Sequence, residues 1–446
     1  MINFRKIGNY SYAWDILTPY YRFALNDVFF KEHVIVGREN IPPRGTPLFV
    51  IANHQNSVND ALLIVSMFKD YRQPVALARG DFFKNNTVAK ILRFWRVMPT
   101  FRARDGGKSD ILKNMETFEI AGDILKKGGV IVMFPEAMHQ ERRFLNTFKK
   151  GVPRICFGAE EMANFQLNLQ ILPVNLHYSK VQNFREKALI EIGKPFGFSE
   201  FLETYQKNPN EAYLQFNEKA RGIIKSMVLD IEDPEYYEQY NLLRHVIRRH
   251  RIKTNYKKHD YFDEFKEEKK VVSEIDILKT QDSAKFESLM ATAKEYSKTL
   301  NKLNFRDWLV NKKTTGFGLA LKTLLMVLFC PLFLFGFVNN IIPCALVNLL
   351  TSKVPDKVFV GSLRFILGFL FLPFWYLGIC ITTSLISHSV IIGISYTILA
   401  FISLFIYYRY KILMLKLWHA WRYFLKRKTE AVVRLGELKN EILLSF

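Results

Sequence analysis

Cysteine is scarce in this sequence, which has four cysteines in 446 residues. Cys330, Cys344 and Cys380 lie in an apolar region and Cys156 stands alone, so none has the short paired spacing of a zinc site. This pattern excludes a disulfide framework and indicates a reducing compartment. The sequence also has no cofactor-binding loop. We therefore expect neither a metal ion nor a cofactor.

A signal peptide is missing as well, because the amino-terminal residues have neither an apolar core nor a small-residue cleavage site. The soluble part is therefore expected to stay in the cytoplasm. Acidic residues are too few to balance the basic ones, since 42 Asp and Glu stand against 63 Lys and Arg and leave a net charge of +21. Nucleic acid and an anionic membrane surface are the candidate partners for this charge.

Charged residues nearly disappear between residues 317 and 408, where the sequence is almost continuously apolar. A soluble part and a membrane part are thus joined in one chain. We therefore expect anionic membrane lipids, and not nucleic acid, to be the partner of the basic residues. Basic segments beside membrane spans are held at an anionic leaflet by roughly 1 kcal/mol per charge. A buried core of a large soluble protein is the alternative interpretation of the apolar region.

The apolar region has three blocks, at residues 317–350, 365–385 and 390–408. The first is too long for one span and is interrupted by Asn339, Asn340 and Pro343, so we predict a hairpin there. Each of the other two is close to the roughly 20 residues that cross a bilayer. With this hairpin, the basic residues at 353–364 and 409–428 lie on the same side. The sequence thus predicts an integral membrane protein with a cytoplasmic catalytic domain, in a bacterial inner membrane or an equivalent one.

Residues 33–200 alternate short apolar runs with helical stretches, which predicts an α/β fold with a mostly parallel sheet flanked by helices. In such sheets ligands bind beyond the carboxyl ends of the strands. The predicted strands are residues 33–37, 48–52, 75–78, 130–134, 170–176 and 189–192.

Four further segments complete the predicted organisation. Residues 1–32 are aromatic-rich and suit a membrane-associated helix, or else an ordinary core helix. Residues 201–315 form a charged helical region, whose basic stretch 244–258 either rests on anionic lipid or is a solvated helix face. A helical transmembrane region follows at 316–410. A basic amphipathic helix closes the chain at 411–446.

The most informative segment is residues 50–60, where a strand runs into a turn that contains His54 and a helix begins near Asp60. Histidine suits a general base because its ordinary pKa is about 6.5. A nearby aspartate can orient the ring and stabilise the imidazolium. No serine or cysteine has the setting of a nucleophile, which favours direct attack by a substrate hydroxyl. The non-catalytic alternative is a histidine in a turn beside an aspartate that caps the helix.

Two later segments carry polar groups at strand ends. The apolar run 130–134 is stopped by Pro135 and delivers Glu136, which could accept hydrogen bonds from a polyol or could be a surface residue. Arg102 and Arg104, followed by a glycine turn, could grip a phosphate bidentately or could be solvated charges at a strand edge.

Taken together, these segments resemble the glycerophospholipid acyltransferase family in order and spacing, over about residues 28–198. The matching segments are 53–60, 98–107, 134–136, 148–151, 171–174 and 190–195. The resemblance implies that His54 is the general base and Asp60 its partner. It also implies an acceptor site that is basic and binds phosphate, formed by Arg102, Arg104, Glu136, Lys149 and Lys150.

The sequence departs from the family pattern at two places. Most members have four residues between the histidine and the aspartate, whereas five separate His54 from Asp60 and Asn59 stands at the usual position. Because an amide cannot stabilise imidazolium by charge, we assign the role to Asp60. Ala137 also follows Glu136 where the family has glycine, which bears on the identity of the acceptor more than on the chemistry.

The resemblance implies a membrane acyltransferase of phospholipid biosynthesis. It would move a fatty acyl chain from acyl-CoA or acyl carrier protein to a hydroxyl of glycerol 3-phosphate or 1-acylglycerol 3-phosphate. Two alternatives stay open at this point. One is transfer to another lysolipid acceptor, and the other is a non-catalytic, lipid-binding membrane adaptor.

Overall fold

The computed structural model describes residues 3–70, 72–101, 108–136 and 142–446, with the side chains of 108–113 left out. These residues form two compact units. The first unit comprises Met1–Asp230, Asp260–Phe262 and Pro355–Phe365. The second comprises Ile231–His259, Asp263–Val354 and Ile366–Phe446.

A seven-stranded sheet, among the described residues, organises the first unit in the order β1-β7-β6-β2-β5-β3-β4. Neighbouring strands are parallel except β6 and β7, which are antiparallel. The prediction of a mostly parallel α/β sheet is therefore confirmed. The strands are β1 Glu32–Val36, β2 Leu48–Ala52, β3 Val75–Arg79, β4 Val97–Thr100, β5 Val130–Met133, β6 Gln170–Tyr178 and β7 Lys187–Ile192.

Helices cover the sheet, as a parallel sheet requires, because its strands are apolar on both faces. Every residue of the central strand β2 is fully buried. The helices of the first unit begin with α1 Tyr12–Arg22, which continues as a π-helical segment Phe23–Phe29. They continue with α2 Val58–Met67, α3 Asn86–Phe94, α4 Lys108–Lys126, α5 Gly151–Glu161, α6 Leu202–Lys207 and α7 Pro209–Met227.

All six predicted strands are present, within a few residues of their predicted bounds. Strand β4 was not among them, although its carboxyl end had been noted beside Arg102. The tetrapeptide Val97–Thr100 is short and contains Pro99, which lacks the N–H that a central strand needs. Because β4 lies at the edge of the sheet, that missing donor costs it no ladder hydrogen bond.

The second unit is helical. Its helices are α8 Tyr237–Asn255, α9 Tyr261–Gln281 (whose first two residues belong to the first unit), α10 Ser283–Leu303, α11 Gly316–Leu328, α12 Cys330–Ser352, α13 Val358–Ser387, α14 Val390–Lys426 and α15 Glu430–Leu444. Helix α13 begins in the first unit, and its residues from Ile366 onward belong to the second. Among the described helices, α12, α13 and α14 are long and apolar enough to cross a membrane.

The first apolar block is divided elsewhere than predicted. Helices α11 and α12 are separated at Phe329. Pro331 lies in the first turn of helix α12, where a proline has no helical hydrogen bond to lose. The predicted interruption by Asn339, Asn340 and Pro343 is wrong, because helix α12 runs through all three.

Asn340 shows why a polar residue does not interrupt this helix. Its Nδ2 donates to the Gly336 carbonyl at 2.9 Å and to Ser403 Oγ at 3.1 Å, and its Oδ1 accepts from the Tyr376 hydroxyl at 2.6 Å. In an apolar setting such polar side chains connect helices, and no water is needed to satisfy them.

The basic stretch 244–258 lies within helix α8 and the turn that follows it. Its arginines form ion pairs with carboxylates of the second unit, through Arg244–Glu268, Arg248–Glu264, Arg249–Asp307 and Arg251–Glu274. These four arginines are thus paired with carboxylates inside the second unit. Their charges are therefore not part of the basic surface that the sequence predicts to rest on anionic lipid.

Candidate active site

The carboxyl ends of the central strands bring together two of the segments singled out in the sequence. Strand β2 is in parallel register with β5 and with β6, so that Ile51 lies beside Met133 and Pro173. The loop that contains His54 therefore leaves the sheet next to the loop that contains Glu136. This is the edge at which parallel sheets bind ligands.

Asn53 anchors the start of the loop after β2. Its side-chain amide donates to the Leu176 carbonyl at 2.9 Å and its Oδ1 accepts from the Leu176 N–H at 2.7 Å. The amide thus continues the ladder to β6 by one more step. Ser57 then has a positive φ of 47°, an uncommon conformation for a residue with a side chain, before helix α2 begins at Val58.

His54 and Asp60 are in direct contact. The Nδ1 atom of His54 lies 2.8 Å from Oδ2 of Asp60, whose side chain is completely buried, whereas 16% of the His54 side chain is exposed. A carboxylate can only accept hydrogen bonds, so Nδ1 carries the proton and Nε2 is left as the basic atom of the ring. This is the arrangement in which an aspartate orients a general base.

Three further donors hold Asp60 in place. The backbone N–H groups of Gln55 and Asn56 donate to Oδ2 at 2.8 Å and 2.7 Å, and the Tyr178 hydroxyl donates to Oδ1. Burial, together with the Asp60 charge, raises the pKa of Tyr178 well above its ordinary value. Tyr178 therefore remains a protonated donor. Asp60 is fixed from both of its oxygens.

Glu136 is also buried, with 3% of its surface exposed, and it holds two loops together. Its Oε1 accepts from the His54 backbone N–H at 3.0 Å, and its Oε2 accepts from the backbone N–H and side-chain amide of Asn146 at 2.9 Å and 3.1 Å. Burial raises the pKa of Glu136, and these amide donors oppose that rise without cancelling it. No Lys or Arg is among these donors.

The ring of Phe134 limits the motion of His54. The two rings are stacked, with centroids 4.2 Å apart and planes inclined by 14°. Phe134 follows directly after strand β5, so the same strand end supplies both the stacking ring and Glu136. The imidazole is therefore held by a hydrogen bond at Nδ1 and by an aromatic face.

The basic residues of the predicted acceptor site are only partly described. Arg102 and Arg104 lie outside the described residues. Lys149 is exposed, and its backbone N–H donates to the Pro135 carbonyl at 2.9 Å, beside Glu136. The Lys150 ammonium lies 3.3 Å from Asn210 Oδ1.

Arg143, another basic residue close to Glu136 in sequence, has partners on strand β6. Its guanidinium is buried and lies 2.9 Å from His177 Nδ1 and 2.7 Å from the Tyr178 carbonyl. It therefore supports the end of strand β6. Among the described residues, no group of three or more His, Cys, Asp or Glu could hold a metal ion.

Two site residues were missed by sequence reasoning. Tyr178 lies two residues beyond the predicted end of its strand, and only its partnership with Asp60 singles it out. Asn146 lies in a loop without a recognisable motif. The available signal was the alternation along β6, which aims Leu176 and Tyr178 at one face of the sheet, but nothing in that pattern identifies the face as the one next to Asp60.

Comparison with known proteins gives a family match and distant relatives. The family model named Acyltransferase matches residues 33–177. Glycerol-3-phosphate O-acyltransferase 2 of Saccharomyces cerevisiae is 28% identical over 123 residues, which are 27% of this chain and 16% of the yeast protein. The chloroplastic 1-acyl-sn-glycerol-3-phosphate acyltransferase LPAT1 of Arabidopsis thaliana is 28% identical over 123 residues, 28% of this chain and 32% of that protein.

The matches thus cover a sixth to a third of the length of these curated relatives. Among solved structures, the 1-acyl-sn-glycerophosphate (LPA) acyltransferase PlsC of Thermotoga maritima is similar at 20% sequence identity with a TM-score of 0.33. That comparison covers 48% of this chain and 80% of the bacterial one.

Proposed function

We propose that this chain, whose residues 33–177 match the Acyltransferase family model, acylates a glycerol-phosphate lipid precursor. The proposed reaction moves a fatty acyl group from a thioester, acyl-CoA or acyl carrier protein, to a hydroxyl of glycerol 3-phosphate or 1-acylglycerol 3-phosphate. The observation that carries this proposal is the hydrogen bond between His54 and Asp60 at the carboxyl end of β2.

In the proposed mechanism, His54 Nε2 takes the proton of the acceptor hydroxyl as its oxygen attacks the thioester carbonyl. Asp60 stabilises the imidazolium that forms. The carbon–sulfur bond then breaks, and the leaving thiolate takes the proton back from His54. Such general base help contributes roughly 10²–10⁴-fold. Backbone N–H groups near the start of helix α2 are proposed to stabilise the oxyanion.

The acceptor side of the site is assigned to basic residues and Glu136. Arg102, Arg104, Lys149 and Lys150 would bind the phosphate of the acceptor, because guanidinium and ammonium groups complement its charge. Glu136 already holds the His54 backbone and would contact the acceptor from there. This arrangement suits an anionic substrate.

We propose that the catalytic domain faces the cytoplasm and that both termini lie on that side. The basic residues that flank the apolar helices support this orientation through the positive-inside tendency. A substrate with one polar end and one apolar end would then stay at the membrane surface through the whole reaction. The domain bounds 33–200, 201–315, 316–410 and 411–446 belong to the same proposal.

The test is an acyl-transfer assay on membranes with labelled glycerol 3-phosphate and 1-acylglycerol 3-phosphate as competing acceptors. His54→Ala should lower kcat by roughly 10²–10⁴-fold, because the base is lost while the amount of protein in the membrane stays the same. His250→Ala, at an exposed histidine of helix α8, is the matched control and should leave kcat unchanged.

Three results would count against the proposal. Normal turnover of His54→Ala would remove the histidine from the chemistry. Transfer to another lysolipid and to neither labelled compound would keep the reaction but change the acceptor. Complete inactivity of the parent protein with all acceptors would favour the non-catalytic adaptor.

A further inference from the structure

The first turns of helix α13 contact the loop that contains His54. Ser362, which is 2% exposed, belongs to the segment Pro355–Phe365 of the first unit. Its hydroxyl donates to the Asn56 carbonyl at 2.7 Å and accepts from the Asn59 backbone N–H at 3.1 Å. One side chain, more than 300 residues away in sequence, therefore bridges two peptide groups of this loop.

Both peptide groups lie between His54 and Asp60. Helix α2 begins there without a cap of its own, because the side chain of Ser57 makes no capping hydrogen bond. The first N–H groups of a helix need acceptors, and a serine oxygen is a good one. Ser362 thus caps the start of helix α2, although it belongs to a distant segment of the chain.

The five-residue spacing between His54 and Asp60 gives this contact its significance. The Asn56 N–H donates to Asp60 Oδ2 at 2.7 Å, and the Asn56 carbonyl accepts a hydrogen bond from the Ser362 hydroxyl. A shift of Asn56 would therefore move a donor away from Asp60, the residue that orients His54. The turn between Asn56 and Asn59 also has a local hydrogen bond of 3.0 Å, so Ser362 adds a second constraint to a turn that is already closed.

The neighbours of Ser362 show that the approach is close and specific. Gly361 packs against the loop between β6 and β7, where a Cβ at this position would lie 2.1 Å from the Val181 carbonyl oxygen. Arg364 donates to the Gln182 carbonyl at 2.8 Å. A side chain at position 361 would force the helix away from both loops, which is a structural reason for glycine there.

We propose that Ser362 is a positioning residue for acyl transfer, whose hydroxyl holds the Asn56–Asn59 turn so that Asp60 keeps His54 aligned. The proposal rests on the proposed function. It links the first turns of a long apolar helix to the geometry of the general base. The residue acts through the loop, without contact with the substrate.

The first test is Ser362→Ala in the full-length protein in membranes. Asp60 loses alignment while the acceptor and donor sites are unchanged, so kcat should fall about tenfold while both KM values stay within twofold. Ser66→Ala is the matched control, because Ser66 is also buried and in the same unit, but its hydroxyl donates to Leu63 within helix α2. This control should keep the parent kcat.

The second test does not depend on activity. Amide hydrogen exchange of peptides that cover residues 55–62 should be at least fivefold faster in Ser362→Ala than in the parent, and unchanged in peptides of strand β6. Gly361→Ala should accelerate exchange in the same peptides and lower kcat at least as much, because its Cβ displaces the helix.

A kcat of Ser362→Ala within twofold of the parent would overturn the proposal, whether or not exchange changes. A loss of kcat without faster exchange would also overturn it, because the hydroxyl would then act elsewhere. If the parent transfers no acyl group to any acceptor, the proposed function fails. In that case, unchanged exchange would refute the link to the loop as well, and faster exchange would support it.

Discussion

Two glutamates of this chain are equally buried and have opposite pKa shifts. Glu136 in the first unit and Glu268 in the second are both 3% exposed. Burial raises the pKa of Glu136. Burial opposes ionisation of Glu268 too, but Arg244, His245 and Arg248 outweigh it and hold the pKa of Glu268 well below 4.5.

The difference lies in the partners. Glu268 makes ion pairs with Arg244 and Arg248 within its own helical unit, and the His245 ring nitrogen Nδ1 lies 3.3 Å from it. Glu136 accepts hydrogen bonds from the amides of His54 and Asn146, which carry no net charge. Among the described residues, Glu268 thus has cationic partners, whereas the hydrogen-bond donors to Glu136 are amides.

The two glutamates illustrate two kinds of buried charge. A buried charge with a full set of partners contributes to stability, and its removal exposes the partner to an uncompensated cost. A buried charge that the fold does not neutralise is maintained at a cost in stability, and such groups cluster at functional sites. The position of Glu136 beside the backbone of His54 agrees with the second description.

The largest expected effect is on stability, in the second unit. Glu268→Ala should lower the free energy of unfolding by about 3–5 kcal/mol, because Arg244, itself 2% exposed, would lose its ion pair with a buried carboxylate. Chemical denaturation in detergent, followed by helix content, measures this change. Glu203→Ala is the control, since its pair with Lys207 is exposed and should contribute at most about 0.5 kcal/mol.

The pH dependence of the same variants sharpens the test. The pKa of Glu268 is depressed in the folded state, so its stabilisation is present above about pH 4.5 and is lost as pH falls towards the folded pKa. The difference between parent and Glu268→Ala should therefore shrink below pH 4.5. A difference that stays constant down to pH 3 would contradict the ion-pair explanation.

A smaller and different effect is expected at Glu136. Glu136→Gln replaces one carboxylate oxygen by an NH₂ group that faces N–H donors, so about one hydrogen bond is lost at the His54 or the Asn146 side. The value of such a bond, about 1 kcal/mol, predicts a roughly fivefold lower kcat/KM and a similar small loss of stability. Steady-state kinetics and thermal unfolding measure the two.

The sign of the pH dependence at Glu136 is opposite to that at Glu268. Because the folded pKa of Glu136 is raised, its contribution to stability is present below the ordinary pKa of 4.5 and is lost as pH rises through the folded value. Relative to Glu136→Gln, the parent should thus lose stability as pH rises from about 4.5 towards the folded pKa of Glu136. If both glutamate variants show the same pH trend, the contrast drawn between the two units is wrong.

The smallest expected effect concerns an exposed charge beside the site. Lys149→Ala should raise KM for the anionic acceptor about threefold at low salt, because the exposed ammonium binds the phosphate in contact with solvent, where salt screens its charge. The effect should vanish near 1 M salt. Lys207→Ala, at an exposed lysine remote in sequence, is the control. A salt-independent rise would show that the loss does not come from the charge of Lys149.

Local patterns were sufficient for much of the fold. Strands such as Leu48–Ala52 and Val130–Met133 could be predicted because a parallel strand, buried on both faces, leaves a short uninterrupted apolar run in the sequence. The long apolar helices could be predicted because they too leave long apolar runs in the sequence. The closeness of His54, Asp60 and Glu136 could also be predicted, since each lies in or directly after a loop that ends such a strand.

Tertiary contacts decided the rest. Tyr178 reaches Asp60 across 118 residues, Asn53 pairs with Leu176 across 123, and Ser362 bridges Asn56 and Asn59 across more than 300. Asn340 looked like a helix break because the sequence does not show the partners of a polar side chain in an apolar run, and two of those partners, Tyr376 and Ser403, lie on other helices. Apolar periodicity is a property of neighbouring residues and is visible in the sequence. The partner of a buried polar group is chosen by the packing of distant segments, which only the folded chain brings together.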